Sequence, residues 1–217
     1  PRMTPDQRRD MLVAATLPLV TRYGRKVTTK QISEAAGVAE GTIFRVFPDK
    51  ESLIEAAVAR GLDPEPTLSQ LAAVDLRAPL RERLVTVVDI LQRRFIAVFQ
   101  LMLAMGMHGP PRDVEAHRAA ARARHAAVLE EVGRILAPDR AEFRCPVPEV
   151  VRIIRLLTFS GSHPLIADGK LLTPDEITDV LLHGTLRHSG DKHAPGDDAD
   201  PVRHTARPDH ERGQSSC

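Results

Sequence analysis

The sequence predicts an all-α chain, and three observations carry that expectation. Hydrophobic residues make up 42% of the 217 positions, while Phe, Tyr and Trp together make up 3%. The core must therefore be aliphatic, which suits packed helices better than a β-sandwich that leans on aromatic and β-branched side chains. Apolar residues also recur at helical intervals over long stretches, and no strand-like alternation of useful length is present. Gly and Pro punctuate the chain where helices would begin and end.

The elements follow in order. Residues Pro5 to Tyr23 read as a helix with Leu12, Ala15, Leu19 and Val20 on one face, closed by Gly24. Pro18 lies inside it, so a kink is expected there. Thr28 or Thr29 caps a short second helix through Ala36, with Ile32, Ala35 and Ala36 turned inward and Gly37 as its stop. A third short helix is expected from Glu40 to Phe47, ended by Pro48, and a fourth from an Asp49 cap through Arg60. Residues 62–78 form a junction with a short helix at Thr67 to Ala73.

Pro79 to Met105 is a long apolar-periodic helix, Gly106 to Pro111 a loop, and Arg112 to Leu136 a second long helix. The apolar line of that second helix is Val114, Ala121, Val128, Val132 and Leu136. A loop with room for one helical turn leads to the strongly apolar Pro148–Ser162. Thr173-Pro174-Asp175-Glu176 combines a cap, a Pro at the first helical position and two acids at the positive dipole end, so it starts a last helix to Arg187. From Ser189 onward apolar residues nearly vanish, and a disordered tail over 189–217 is expected. The division is thus 1–61, 62–188 and the tail.

Charge and cysteine usage narrow the function classes. The formal net charge is +1, which excludes a uniformly basic coat. Residues 1–62 hold 10 Lys and Arg against 7 Asp and Glu, residues 63–188 hold 16 of each, and residues 189–217 hold 4 against 6. A small anion-facing module on a neutral body is the natural reading. Two Cys, at 145 and 217, do not make a disulfide framework, so a reducing, cytoplasmic setting is expected. The start, Pro1-Arg2-Met3-Thr4, lacks an apolar signal segment, and it leaves room for an N-terminal extension. No run of about eighteen apolar residues marks a membrane span.

Catalytic signatures are missing: there is no G-x-S-x-G, H-E-x-x-H, phosphate loop or G-x-G-x-x-G. Ser160-Gly161-Ser162-His163 reads as a helix terminus, because adjacent Ser and His do not make a relay. None of the nine His forms a ligand pair at i, i+4, so neither a metal nor another cofactor is expected.

Residues 28–47, TTKQISEAAGVAEGTIFRVF, have helix-turn-helix logic. Two short helices meet at a tight Gly turn, and the second is free to lie in a DNA major groove. The run from Tyr23-Gly24 through VTTKQISEAAGVAEGTIFRVFPDKESL resembles the DNA-binding domain of the TetR family of repressors, over roughly residues 6–62. The stretch FSGSHPLIADGKLLTPDEI is similar to actinobacterial members, and 25 Arg against 5 Lys fits a GC-rich genome.

The resemblance implies a three-helix DNA-binding domain followed by an all-α ligand-binding and dimerisation bundle. It implies that Thr28 and Thr29 hold a phosphate at the second helix's N-terminus, where N–H groups point outward. It places Glu40, Gly41, Thr42, Phe44 and Arg45 on the recognition helix, and makes Lys50 a phosphate contact. Arg45 is suited to guanine and Thr42 to a base methyl or a phosphate. Three positions depart from the family's pattern: Ala39 in place of a capping Ser, Phe44 in place of a Tyr, and Val46 in place of a polar or basic residue. Arg8 and Arg9 are expected on a solvated face.

The implied function is a homodimeric repressor on a palindromic operator of double-stranded DNA. The dimer would form through Pro148–Ser162 and Pro174–Arg187, and a small apolar or amphipathic ligand would release the DNA. Phe95, Phe99, Met102, Met105, His125 and Phe159 are the candidate ligand contacts. Met107 and His108 lie at the same helix end, and His117 lies on the helix of His125. The alternative is an α-helical small-molecule-binding protein whose DNA-binding module is degenerate.

Overall fold

The computed structural model describes residues 3–106 and 115–186, and of residues 115–124 the backbone alone. The expectations for Met107, His108, Val114, His117, Ala121, Arg187 and the 189–217 tail lie outside that description. The described residues belong to one compact unit. They form α1 Pro5–Tyr23, α2 Thr29–Ala36, α3 Glu40–Ile43, α4 Lys50–Gly61, α5 Glu65–Ala72, α6 Leu80–Ala104, α7 Glu115–Leu136, α8 Val147–Ser162 and α9 Pro174–Thr185. Short 3-10 turns sit at Gly24–Lys26 and Ala137–Asp139. Among the described residues the only β pairing is an isolated bridge between Phe143 and Leu186. None of these helices is long and apolar enough to cross a membrane.

Local chemistry explains the helix starts. Thr4 accepts from the Gln7 N–H at 3.2 Å while the Gln7 side chain accepts from the Thr4 N–H at 2.9 Å, a reciprocal capping box for α1. Thr173 and Glu176 repeat the device on α9, behind the Pro174 that the sequence places at the first helical position. α1 runs through Pro18. Pro18 and Ala14 are both exposed, so the carbonyl that Pro18 leaves without a partner can face water.

The apolar interior divides into two clusters. The first gathers Leu12, Val13, Val20, Val27, Ile32, Ile43, Phe47, Leu53, Ile54 and Ala57 from α1–α4 and their connections. The second gathers aliphatic residues of α5–α9, including Val87, Val88, Val132, Ile135, Val150, Ile154, Ile177 and Leu181. Helix α6 serves both. Its first half packs in the second cluster through Leu84 to Leu91, and Leu101 near its end is buried in the first. At 25 residues it spans about 37 Å, enough to reach from one to the other.

Polar struts fix α6 at its start and at its middle. Arg83, only 3% exposed, donates to the carbonyls of Ala78 at 3.0 Å and Ile135 at 2.9 Å and pairs with the Asp139 carboxylate. The start of α6 is thereby tied to the end of α7. Arg81 bridges Asp175 and Asp179 of α9 at 3.0 and 2.8 Å. Arg94 donates to the carbonyls of Gly61 and Leu62, at 2.9 and 2.5 Å, where α4 ends.

The closest approach is at Gly24. Its φ is +58°, and a Cβ added there would lie 2.1 Å from the Ala104 carbonyl oxygen at the end of α6. Gly37 has a similar φ of +66° with open space around it. Gly37, at ψ 33°, escapes a left-handed penalty of about 1–2 kcal/mol, whereas Gly24, at ψ −141°, holds a positive-φ conformation outside the left-handed helical region and also escapes a backbone collision. Gly24→Ala should therefore lower denaturant-measured stability clearly more than Gly37→Ala. Equal losses would show that the Gly24–Ala104 contact is not a packing constraint.

Candidate functional site

The site is built on the turn between α2 and α3. Thr28 caps α2: its hydroxyl oxygen accepts from the Gln31 N–H at 3.2 Å, and the Gln31 side chain accepts from the Thr28 N–H at 2.9 Å. Ile32 and Ser33 are buried, which centres the inward face on Ile32, Ser33 and Ala36. Ala35, expected inward, is exposed, because helical geometry carries it more than a quarter-turn from that centre. Gly37 adopts the left-handed conformation, φ +66° and ψ 33°, and Val38 donates back to the Ser33 carbonyl at 3.0 Å. The chain then reverses into the extended Ala39, which supplies no side-chain cap.

Helix α3 is shorter than its sequence suggests. It covers Glu40–Ile43 rather than Glu40 to Phe47. The next amides bond three residues back, Arg45 to Thr42 at 3.3 Å and Val46 to Ile43 at 3.0 Å, so the chain tightens out of α-helix. Pro48 restricts the residue before it and prevents continuation. Ile43 and Phe47 are fully buried. Thr42 is half-buried, and Gly41, Phe44 and Arg45 are exposed.

Several predicted site residues are engaged with one another. The Thr29 hydroxyl donates to the Glu40 carboxylate, joining the starts of α2 and α3. With the Thr28 oxygen serving as a cap, neither threonine hydroxyl is idle. Lys50 donates to the Arg25 carbonyl at 3.4 Å and lies 3.8 Å from Glu51. Asp49 caps α4 by accepting from the Ser52 N–H at 2.7 Å. That bond, followed by the Ser52 hydroxyl, holds its carboxyl below the ordinary carboxylate value.

Arg9, expected on a solvated face, is exposed but lies over the Phe47 ring, 4.4 Å from its centroid. Spacing alone gave no sign of this, since the partners are on different elements. Arg25, Lys26 and Lys30 add exposed positive charge beside the α2 start. The sequence reading passed over them, although the local Lys/Arg excess was the available signal.

The candidate ligand contacts are partly assembled. Phe95 and Phe99 of α6 meet Phe159 of α8 edge to face, at centroid distances of 5.5 and 5.0 Å. His163, which caps the end of α8, joins them at 4.6 Å from Phe99. Its Nδ1 is buried without a hydrogen-bond partner among the described residues. The sequence reading treated this histidine only as part of a helix terminus. Met102 is half-buried on α6, while Met105 packs against the first apolar cluster. A separate groove between α7 and α8 is lined by Leu129, Gly133, Val147 and Val151, with Arg152 and Arg155 at its edge.

His125 lies on α7 and feels the charge of Arg155 on α8. Burial first, and Arg155 second, push its imidazole below the ordinary value of 6.5. Stability linked to it is full above the unfolded value and is lost as pH falls through the lowered folded value. NMR titration should place the His125 midpoint below 6.5, and Arg155→Leu should recover part of the shift. Complete recovery would show that burial is not the main cause.

Comparison with known proteins supports this reading of the turn. Residues 12–57 match the family described as bacterial regulatory proteins, tetR family. The uncharacterized HTH-type transcriptional regulator YvkB of Bacillus subtilis is 45% identical over 58 residues, 27% of this chain and 30% of that protein. The match therefore spans less than a third of the relative. A tetR-family transcriptional regulator from Streptomyces coelicolor has a similar structure, with a TM-score of 0.60, 24% identity, and coverage of 84% of this chain and 80% of that one. A regulator from Saccharomonospora viridis, solved in complex with choline, has a TM-score of 0.59 at 17% identity, covering 83% of this chain and 98% of that one. The likeness to the solved structures is one of fold. The chain thus carries a tetR-family helix-turn-helix segment over residues 12–57, and its described residues share the all-helical fold of solved tetR-family regulators.

Proposed function

We propose that the chain is a transcriptional repressor that binds a palindromic DNA operator as a homodimer and is released by a small molecule. The observation that carries the proposal is the exposed α3 end. Gly41, Phe44 and Arg45 face solvent beside Thr42, on a turn anchored by the buried Ile43 and Phe47. Residues 1–61 act as the DNA-binding domain and residues 62–188 as the effector and dimer domain, in the cytoplasm.

In this reading Arg45 reaches a guanine edge and Lys50 a backbone phosphate, with Gly41 allowing close approach and Thr42 touching a base or phosphate. Thr28, Thr29 and Glu40 set the angle between α2 and α3, and the first N–H groups of α2 face the phosphate.

Dimerisation uses α8 and α9. Leu156 is 41% and Val180 58% exposed, and a second copy offers the same face to both under two-fold symmetry. The effector binds at Phe95, Phe99, Met102 and Phe159, with His125 of α7 as a further contact, while Met105 packs in the first cluster. His163 offers a polar partner there, since its Nδ1 has none among the described residues. The choline bound by the Saccharomonospora viridis protein supports a small organic effector, and aromatic rings suit a cationic headgroup. A ligand that prefers the form unable to bind DNA draws the population away from the operator.

Two observations favour a second reading, a ligand-binding protein with a degenerate DNA module. Ala39 supplies no cap, and both threonine hydroxyls are occupied internally. Fluorescence polarisation on the upstream intergenic DNA, without ligand and at about 50–100 mM salt, separates the two, because salt governs phosphate-driven affinity. Sequence-specific binding is expected, and its absence would overturn the repressor reading.

Two variants test the roles. Arg45→Ala should weaken operator binding by about 1–3 kcal/mol and relax preference at one position; an unchanged preference would make Arg45 a phosphate contact. Lys50→Ala should weaken all sequences alike and reduce the salt slope by about 1. An unchanged slope would remove Lys50 from the phosphate contacts.

A further inference from the structure

Phe44 is 52% exposed, more than Tyr23 or Phe159, the other exposed aromatic side chains among the described residues. Its direction is set by its neighbours. Ile43 before it and Phe47 after it occupy the interior of the first cluster. Phe47 is in turn covered by the Arg9 guanidinium. With Ile43 and Phe47 turned inward, the Phe44 ring stands exposed at the end of α3 beside Arg45.

The chemistry available to it is narrow. A phenyl ring has no hydroxyl to give a phosphate. It offers C–H edges and a π face. In the major groove the apolar feature that differs between bases is the C5 methyl of thymine; the sugar carbons are the same at every position.

We propose that Phe44 is a specificity-determining residue that reads a thymine methyl, so that each half-site carries a required thymine next to the base pair met by Arg45. The inference rests on the proposed DNA-binding role of α3. An apolar contact of this kind releases no counterions, so its contribution is independent of salt, unlike that of Lys50.

The test begins with selection of binding sites from a randomised duplex pool by the full chain. Each selected thymine is then replaced singly by deoxyuridine, which lacks only the methyl group. One thymine in each half-site should be invariant, and its replacement should weaken binding roughly fourfold, as expected for one buried methyl. The loss should be the same at low and high salt. Phe44→Ala should bind the thymine and deoxyuridine duplexes equally, and Phe44→Leu should retain part of the discrimination. Circular dichroism should show both variants folded, since the ring lies outside the core.

Selected sites without an invariant thymine, a neutral result for every replacement, or discrimination that survives Phe44→Ala would each overturn the inference while leaving DNA binding intact. A pool that yields no enriched sequence would instead remove the DNA-binding role of α3, and the thymine contact with it.

Discussion

The arrangement depends on one helix that belongs to two interiors. α6 contributes Leu84 to Leu91 to the cluster of α5–α9 and Leu101 to the cluster of α1–α4. Its end meets Gly24 so closely that no side chain fits there, and its middle is tied by Arg94 to the last carbonyls of α4. Gly61 is crowded more softly from the other side: a Cβ there would lie 2.6 Å from a Leu101 methyl and 2.9 Å from a Leu17 methyl, which side-chain rotation can relieve. The aromatic group of Phe95 and Phe99 occupies the stretch of α6 between its two buried regions. Anything that displaces those rings acts on a helix already fixed at both ends.

The α2–α3 pair needs this support. Helices of 8 and 4 residues have no stability of their own in water. Their angle is held by Ile32, Ile43 and Phe47 in the core, the left-handed Gly37, and the bond between Thr29 and Glu40. The missing cap at Ala39 places more of that burden on the core and on Arg9 over Phe47. Precision at the exposed surface thus originates in buried apolar contacts, which is why Arg45 and Phe44 can point outward without being flexible appendages of a loop.

Much of this was legible in the sequence. Chemical signals that act locally were the reliable ones: a cap at Thr28 or Thr29, which the structure places at Thr28, Thr173 as a cap, Asp49 before α4, Gly37 as a stop, and the aliphatic periodicity of α6. What escaped involved partners distant in the chain or competition between helical geometries. α3 ends at Ile43 as the amides of Arg45 and Val46 bond three residues back before that of Phe47 returns to a bond four back, and residue type does not report that change. Ala35 was misplaced because Ala suits either side of a helix. Met105 looked like its neighbours on α6, yet it lies past the point where the helix passes from one interior to the other. His163 was passed over because its aromatic partners come from another helix. The family resemblance located the turn and named its exposed residues, but their internal bonds required coordinates.

The most direct test of this account is amide hydrogen exchange on Leu101→Ala. Truncating a buried Leu costs about 2–5 kcal/mol, and here the loss falls on the cluster that holds α2 and α3. Protection should drop in α1–α4, including at Ile32 and Ile43, while Val87 and Ile154 in the second cluster keep theirs. Unchanged protection at Ile32 and Ile43, or an equal loss throughout the chain, would contradict the claim that the end of α6 completes the interior behind the α3 surface.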